Sequence, residues 1–409
     1  MIKIKNGFIS NKIFYILLFM IGLNFFRKGS ILIIMGIAVY LFINRREMDK
    51  YAILLALTST AMFVFGVFNG EKDIFRLLIK SYLYFGFYCL GNTLFTNIKN
   101  YPKSYEHVLL ASILAFSFGN FMHFCLDIFS NDNLYLISQN ARVLTDFWTK
   151  GDAGVTILSG WCVPLVFIQY YAIAYKTEKL FTRVFISAMS ILSFGLNIII
   201  GARTYIVIFF ISFILLYVFD CLFIQKNIRR ILGTTGLLIG LVAIGIILFC
   251  INYRGIQDIF YNSTLYSRIA SGELASGIFS DNGRMNRMMF MFNNFDKVLL
   301  GGSYCQNNGR QVHMWILQVI DEYGIFVAFC LFTLIVIIIK DLIRLIRSRL
   351  ISGGMKILCV SIILSWMLLA FVEPLLTSNN VIAAFIFFYY GFIRLTLKFI
   401  TEKRYEREY

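Results

Sequence analysis

Charge is scarce in this chain. Of 409 residues only 15% are charged, against 59% apolar and 17% aromatic. A soluble domain needs more charge than that to cover its surface. Proline is nearly missing, at three residues, and no Pro-rich linker or low-complexity tail breaks the sequence. Histidine is equally rare. His107, His123 and His313 stand far apart, none with a partner ligand at metal-binding spacing, so no metal site is expected. Cysteine gives no disulfide framework: Cys89, Cys125, Cys162, Cys221, Cys250, Cys330 and Cys359 fall in apolar runs, and only Cys305 lies in a loop. There is no Gly-rich phosphate loop and no nucleophile elbow, and no cofactor is expected.

What the chain does have is apolar runs near the length of about 20 residues that crosses a bilayer. About twelve are read as helices of an all-α polytopic membrane protein. They cover Ile13 to Phe26, Ile31 to Ile43, Tyr51 to Phe68, Ile74 to Phe95 and His107 to Phe129. After a polar stretch from Ser130 to Asp152 come Val155 to Tyr175, Val184 to Ile200, Thr204 to Ile224 and Ile231 to Ile251. The last three are His313 to Ile339, Ile357 to Phe371 and Val381 to Leu397. The first run is followed by Arg27 and Lys28 without a small-residue cleavage site, so it reads as a retained helix. The organisation is then nine helices over 1–251, a large loop over 252–312, and three helices with a basic tail over 313–409.

Twelve crossings put both termini on one side. If that side is the cytoplasm, the inner segments hold most of the 38 Lys and Arg, as the positive-inside rule requires. They include Arg45, Arg46 and Lys50; Lys226, Arg229 and Arg230; and Lys340, Arg344, Arg347, Arg349 and Lys356. The large loop then faces outward. The net charge of +16 records this topology and needs no nucleic acid to explain it. Membrane lipids are the expected surroundings, in the cytoplasmic membrane.

The informative residues are the cations on the outer side. Arg203 sits at a helix mouth in Gly201-Ala202-Arg203-Thr204, and the loop adds Arg254, Arg268, Arg284, Arg287, Lys297 and Arg310. Such arginines either snorkel to lipid phosphates or clamp a phosphorylated substrate bidentately. Arg284 and Arg287 share a helical face beside a Met/Phe run, as in a helix lying in the membrane interface. A simple amphipathic anchor has the same pattern.

His313 is the only histidine in the long outer region. A neutral imidazole there suits a general base; the plainer reading is a histidine that ends a helix. Arg76 and Lys80, at i,i+4, lie near the outer end of the fourth helix and either guide a pyrophosphate or snorkel past Glu71 and Asp73. His123 and Asp127, also i,i+4, read as a structural pair. Glu373, before Pro374, binds sugar hydroxyls or caps a loop, and Asp321 is a further base candidate. Gly236, Gly240 and Gly245 suggest close helix packing.

One stretch resembles a family. Gly283-Arg284 is followed by an apolar run and by Leu299-Leu300-Gly301-Gly302. Then His313 opens a helix that continues Leu317-Gln318-Val319-Ile320-Asp321-Glu322-Tyr323-Gly324. This resembles the bacterial O-antigen polymerase/ligase family, with Arg203 matching an arginine element one loop earlier. The motifs span about a third of the chain, and the helix count and large loop extend the resemblance over the rest. One departure is Met314, where the family often has Asn.

The resemblance implies a GT-C-like fold and a reaction at the outer leaflet on undecaprenyl-pyrophosphate-linked sugars. It also implies a flippase and a chain-length regulator as partners. The expected activity is a metal-independent glycosyltransferase: a polymerase of lipid-linked repeat units into O-antigen or capsule. The residue chemistry is compatible, because arginines stabilise a leaving diphosphate without a metal and His313 takes the acceptor proton. A ligase that moves the glycan to another acceptor shares the same leaving group. A lipid-linked oligosaccharide flippase is the alternative from another class. It is disfavoured because no internal repeat is visible and because a loop of roughly 60 residues is uncommon unless functional.

Overall fold

A computed structural model describes residues 11–24, 49–96, 103–139, 143–175 except 149, 180–225, 247–263, 284–373 and 380–408, with a few isolated residues besides. The expected second helix, most of the expected ninth with Gly240 and Gly245, and Arg268 lie outside these described residues.

The elements run in order as α1 (Asn11–Gly22), α2 (Lys50–Phe68), α3 (Ile74–Thr96), α4 (Lys103–Ile128), α5 (Asn131–Ser138), β1 (Val143–Thr145) and β2 (Asp152–Gly154). Next are α6 (Val155–Gly160), α7 (Val163–Ala174), α8 (Leu180–Ile199), α9 (Thr204–Phe219) and α10 (Ile256–Tyr261). The series closes with α11 (Arg284–Asn293), α12 (Phe295–Val298), α13 (Tyr304–Asn307), α14 (Trp315–Tyr323), α15 (Ile325–Arg347), α16 (Gly353–Val372) and α17 (Asn380–Glu408).

Among the described residues, eight helices are long and apolar enough to cross a membrane: Lys50–Phe68, Tyr105–Ile128, Val155–Ala174, Leu180–Ile199, Thr204–Ile224, Ile325–Arg347, Gly353–Val372 and Asn380–Thr401. The protein is therefore an all-α, multi-pass membrane protein. Some faces of these helices stay bare. On α9, Val207, Phe210, Ile211, Ile214, Leu215 and Val218 are exposed, a surface that only lipid covers at no cost. The expected first helix is the shorter α1, and the expected fourth forms as α3, which carries Arg76 and Lys80 and is not among the eight.

Sequence reading placed one helix over His313 to Ile339, and the structure has two. Gly324 ends α14 and begins α15 with φ 87° and ψ 172°. Only glycine adopts that conformation easily, and a Cβ there would meet the Leu299 carbonyl oxygen at 2.8 Å. The membrane-length segment starts at Ile325. His313 stands ahead of the short α14, not at the mouth of a spanning helix.

The chain forms two compact units. The first holds 1–119, 277–352 and 366–409. Its core is α17, buried along almost every residue from Ile382 to Ile393. α17 meets α3 where Gly391 faces Gly91; a Cβ on Gly391 would lie 2.6 Å from the Tyr88 carbonyl oxygen, so small residues set the helix separation. Phe116 and Phe385 stack beside this crossing, and Tyr84 stacks on Phe387. One turn beyond Gly391 on α17, Arg394 donates to buried Asp341 at 3.1 Å, which also accepts from Arg344 at 3.3 Å. Asp49 caps α2, accepting from the backbone N–H of Tyr51 at 3.1 Å and of Ala52 at 2.8 Å.

The second unit holds 120–276 and 353–365. Here β1 and β2 pair antiparallel, with Leu144 opposite Ala153. Gln169 of α7 donates to the Tyr205 hydroxyl of α9 at 2.8 Å, and Tyr170 and Tyr175 donate to buried Asp220. Such paired polar groups fix helix contacts inside an apolar slab.

Candidate anion-binding site

The C-terminal part of the large loop folds on a small core of its own in the first unit. Met291, Val298, Cys305, Val312 and Leu317 are buried together, with Met288, Phe290, Tyr304 and Met314 packed around them. Asp321 organises the turn above this core. Its two carboxylate oxygens accept from the backbone N–H groups of Cys305 at 2.8 Å and Gln306 at 3.2 Å. Both oxygens thus hold backbone, so Asp321 anchors the loop and is poorly placed as a base. Burial, then the charge of Asp321, pushes the Cys305 thiol up to about 12, which leaves it unreactive.

α11 carries two distinct faces. Met285, Met289 and Phe292 are exposed at helical spacing. Arg284, Arg287, Met288 and Met291 fall on another face, where Met291 is buried in the loop core. The expectation of an interfacial helix with arginines beside an apolar face is compatible with this division, although part of the Met/Phe run packs on protein.

One arginine of α11 contacts His313 and the other stands close enough to act on it. Arg287 Nη1 lies 2.9 Å from His313 Nε2 and donates to the Gln311 carbonyl at 3.2 Å. Arg284 Nη2 stands 3.6 Å from Oε1 of buried Glu373. Arg310 covers the Phe290 ring at 5.4 Å. Burial, then Arg310 and Arg284, lowers the Arg287 pKa. His313 is pushed down to about 4 by burial, then by Arg284 and Arg287. At neutral pH the site therefore has an uncharged imidazole under the field of two guanidiniums, Arg287 in contact and Arg284 nearby, with Arg310 acting on Arg287 and one carboxylate at the edge. Excess positive charge in a partly buried place favours an anion there.

The other expected site residues sit differently. Lys80 pairs with Glu322, which also accepts from Gln318 at 3.0 Å, and Lys80 covers the Tyr323 ring at 5.5 Å. That compensated pair leaves Lys80 little capacity for a phosphate. Arg76 is exposed, and its backbone N–H is taken by Asp73 at 2.9 Å. Arg203 belongs to the second unit, exposed at the start of α9 after Gly201 at φ 67°. Arg254 lies in a short 3-10 turn, Tyr253–Gly255. Arg310 was named only as a loop cation. Its place three residues before His313 was the available signal for a site role.

The expectation that no histidine has a partner ligand needs correcting. In the second unit His123 lies near both Asp127 and Asp146. Asp146 comes from the β1–β2 turn, too far along the chain for spacing rules to find. No protein-family model matches the sequence, and no curated protein is significantly similar to it.

Proposed function

We propose that this protein is a glycosyltransferase that polymerises undecaprenyl-pyrophosphate-linked oligosaccharide repeat units at the outer face of the cytoplasmic membrane. The reading includes about twelve crossings in a GT-C-like arrangement, both termini in the cytoplasm and the large loop outside. The observation that carries it is the meeting of Arg287 and Arg284 at a neutral His313, with Arg310 close enough to act on Arg287. A diphosphate needs several fixed donors, and planar guanidiniums provide them bidentately. The exposed Met285, Met289 and Phe292 stripe supports the same reading. Sunk in the interface, it would hold the arginines at headgroup depth, where a lipid diphosphate lies.

In the reaction the acceptor hydroxyl oxygen forms a bond to the donor's anomeric carbon. The bond from that carbon to the diphosphate oxygen breaks, and the electron pair leaves with the diphosphate. Arg284 and Arg287 stabilise the charge that develops there. The hydroxyl proton passes to His313 and then to water. In the resting site Arg287 occupies His313 Nε2. A bound diphosphate draws Arg287 to itself, freeing Nε2 and offsetting the positive field that lowers the imidazole pKa. Glu373 would then hold Arg284 or meet sugar hydroxyls.

The test is reconstitution of the purified chain in vesicles with a lipid-linked repeat unit as donor and acceptor. A ladder of lipid-linked oligomers is expected. Substrate left as single repeats, with transfer seen only to a different acceptor lipid, would instead make the protein a ligase. Movement of substrate across the bilayer without transfer would make it a flippase.

A further inference from the structure

We propose that His123, Asp127 and Asp146 bind one divalent cation of the zinc–manganese class, which clasps the β1–β2 hairpin to the end of α4. The proposal does not rest on glycosyl transfer. His123 and Asp127 lie one turn apart on α4, and Asp146 enters from the hairpin turn. One ligand atom from each of the three lies within 4.8 Å of the others. All three residues are buried, at 0%, 0% and 2% exposure.

The geometry is that of ligands about a shared ion. His123 Nε2 stands 3.6 Å from Asp127 Oδ2 and 3.8 Å from Asp146 Oδ2. A charge-assisted hydrogen bond would draw such atoms to about 2.7–2.9 Å. Two ligands each about 2.0–2.2 Å from one metal ion stand roughly 3.3–3.6 Å apart at tetrahedral angles. The two spacings from His123 need close by only a few tenths of an ångström.

Each carboxylate is also oriented from behind. Asp127 Oδ1 accepts the Phe147 N–H at 2.7 Å, and Asp146 Oδ1 accepts the Trp148 N–H at 3.1 Å. Both Oδ2 atoms are thereby turned to the imidazole, in the manner of supported metal ligands. Asn133 braces the same place, donating to the carbonyls of Asp127 and Thr145 and accepting from the Thr145 N–H, each at 2.6 Å. The Trp161 ring packs edge-on to the His123 ring at 4.7 Å and fixes its plane.

Charge points the same way. Two carboxylates this close in a buried place repel and lose their hydration. A divalent ion neutralises both, while one proton neutralises one. A single imidazole with two carboxylates suits zinc, manganese or iron(II), and does not suit the thiolate-seeking copper(I).

The experiment uses the full chain in detergent, stripped with a chelator, desalted, and then given Zn2+ or Mn2+ alone. Metal content by mass spectrometry and thermal unfolding are read together. About one retained equivalent is expected, with a higher Tm in the metal-loaded protein. Asp146→Asn, which keeps the shape of the side chain, should lose both the ion and the Tm response. Cobalt(II) should give the visible absorption of a low-symmetry nitrogen–oxygen site in wild type and not in Asp146→Asn. A wild-type chain that retains no ion and whose Tm ignores chelator overturns the proposal, and so does an ion retained equally by Asp146→Asn. If Asp146→Asn fails to fold, the wild-type chelation and cobalt measurements decide alone.

Discussion

Arg287 Nη1 lies 2.9 Å from His313 Nε2. A guanidinium can only donate, so the imidazole accepts at Nε2 and carries its proton on Nδ1. Nδ1 is buried with no hydrogen-bond partner among the described residues. Arg287 thus sets the tautomer of His313, and burial with the nearby positive charge keeps the ring neutral. On the proposed reading, His313 is a base held back in the resting site and Arg287 is the group that releases it.

The depressed pKa of His313 should appear in the acid limb of stability. The folded value is about 4 against the usual 6.5. Above pH 6.5 neither state binds this proton, and the group contributes no pH dependence. Between 6.5 and about 4 the unfolded chain takes up a proton that the folded site refuses, so stability falls as pH falls. The gap of about 2.5 units corresponds to at most roughly 3.5 kcal/mol at about 1.4 per unit. Thermal unfolding in detergent should show His313→Gln losing less stability than wild type between pH 7 and 4. Parallel curves would mean that the imidazole is not held neutral by its surroundings.

Lysine should not replace the site arginines. A point ammonium lacks the fork that grips a diphosphate. Arg284→Lys and Arg287→Lys should each lower polymer output on the order of 10–100-fold, somewhat less than removal of a transition-state donor. Arg347→Lys, at the exposed end of α15, is the control and should be silent. Full output from all the lysine variants, at equal protein level, would leave these arginines as lipid anchors.

Much of the fold was legible because bilayer thickness acts on each segment separately. Runs such as Thr204 to Ile224 declare their length and apolarity without help from distant residues. The break at Gly324 was not legible, since a glycine inside an apolar run is compatible with a helix. Its φ of 87° answers to the Leu299 carbonyl, a neighbour that only folding provides. Arg284, Arg287 and His313 could be singled out by charge and position. That Arg287 occupies the imidazole, that Glu322 neutralises Lys80, and that Asp146 joins His123 are all contacts between distant stretches of chain.

Asp321 should behave as an anchor. Asp321→Ala leaves the N–H groups of Cys305 and Gln306 without their acceptor, a loss of about 1–3 kcal/mol for the buried Cys305 donor. The expected result is a lower Tm, with transfer that recovers when the assay is cooled. A variant as stable as wild type yet inactive at every temperature would return Asp321 to the chemistry.

The orientation can be tested at two exposed positions, Gln306 in the large loop and Arg349 between α15 and α16. In a background lacking the exposed Cys250, Gln306→Cys should react with an impermeant thiol reagent in cells stripped of any outer barrier. Arg349→Cys should react only after permeabilisation. The reverse pattern would put the arginine site in the cytoplasm, where an outer-leaflet reaction cannot use it.

The sharpest prediction concerns the base. The pH profile of kcat/KM reports the free enzyme, and that of kcat reports the substrate complex. If the diphosphate engages Arg284 and Arg287, the positive field on His313 is offset and its pKa rises from about 4 toward the ordinary 6.5. The acid limb of kcat should then lie at higher pH than that of kcat/KM. His313→Gln tests the role itself. Its side-chain oxygen can still accept from Arg287, so the arginine keeps its place, yet an amide cannot take a full proton at neutral pH. A positioned base contributes about 10²–10⁴-fold, or roughly 3–5 kcal/mol. Gln should therefore fail about as badly as Ala, with Tm at neutral pH little changed. Near-normal transfer by His313→Gln, with lost transfer in His313→Ala, would make His313 a positioning residue for Arg287. The acceptor proton would then leave by another path, and Glu373, buried beside Arg284, would be the next group to replace.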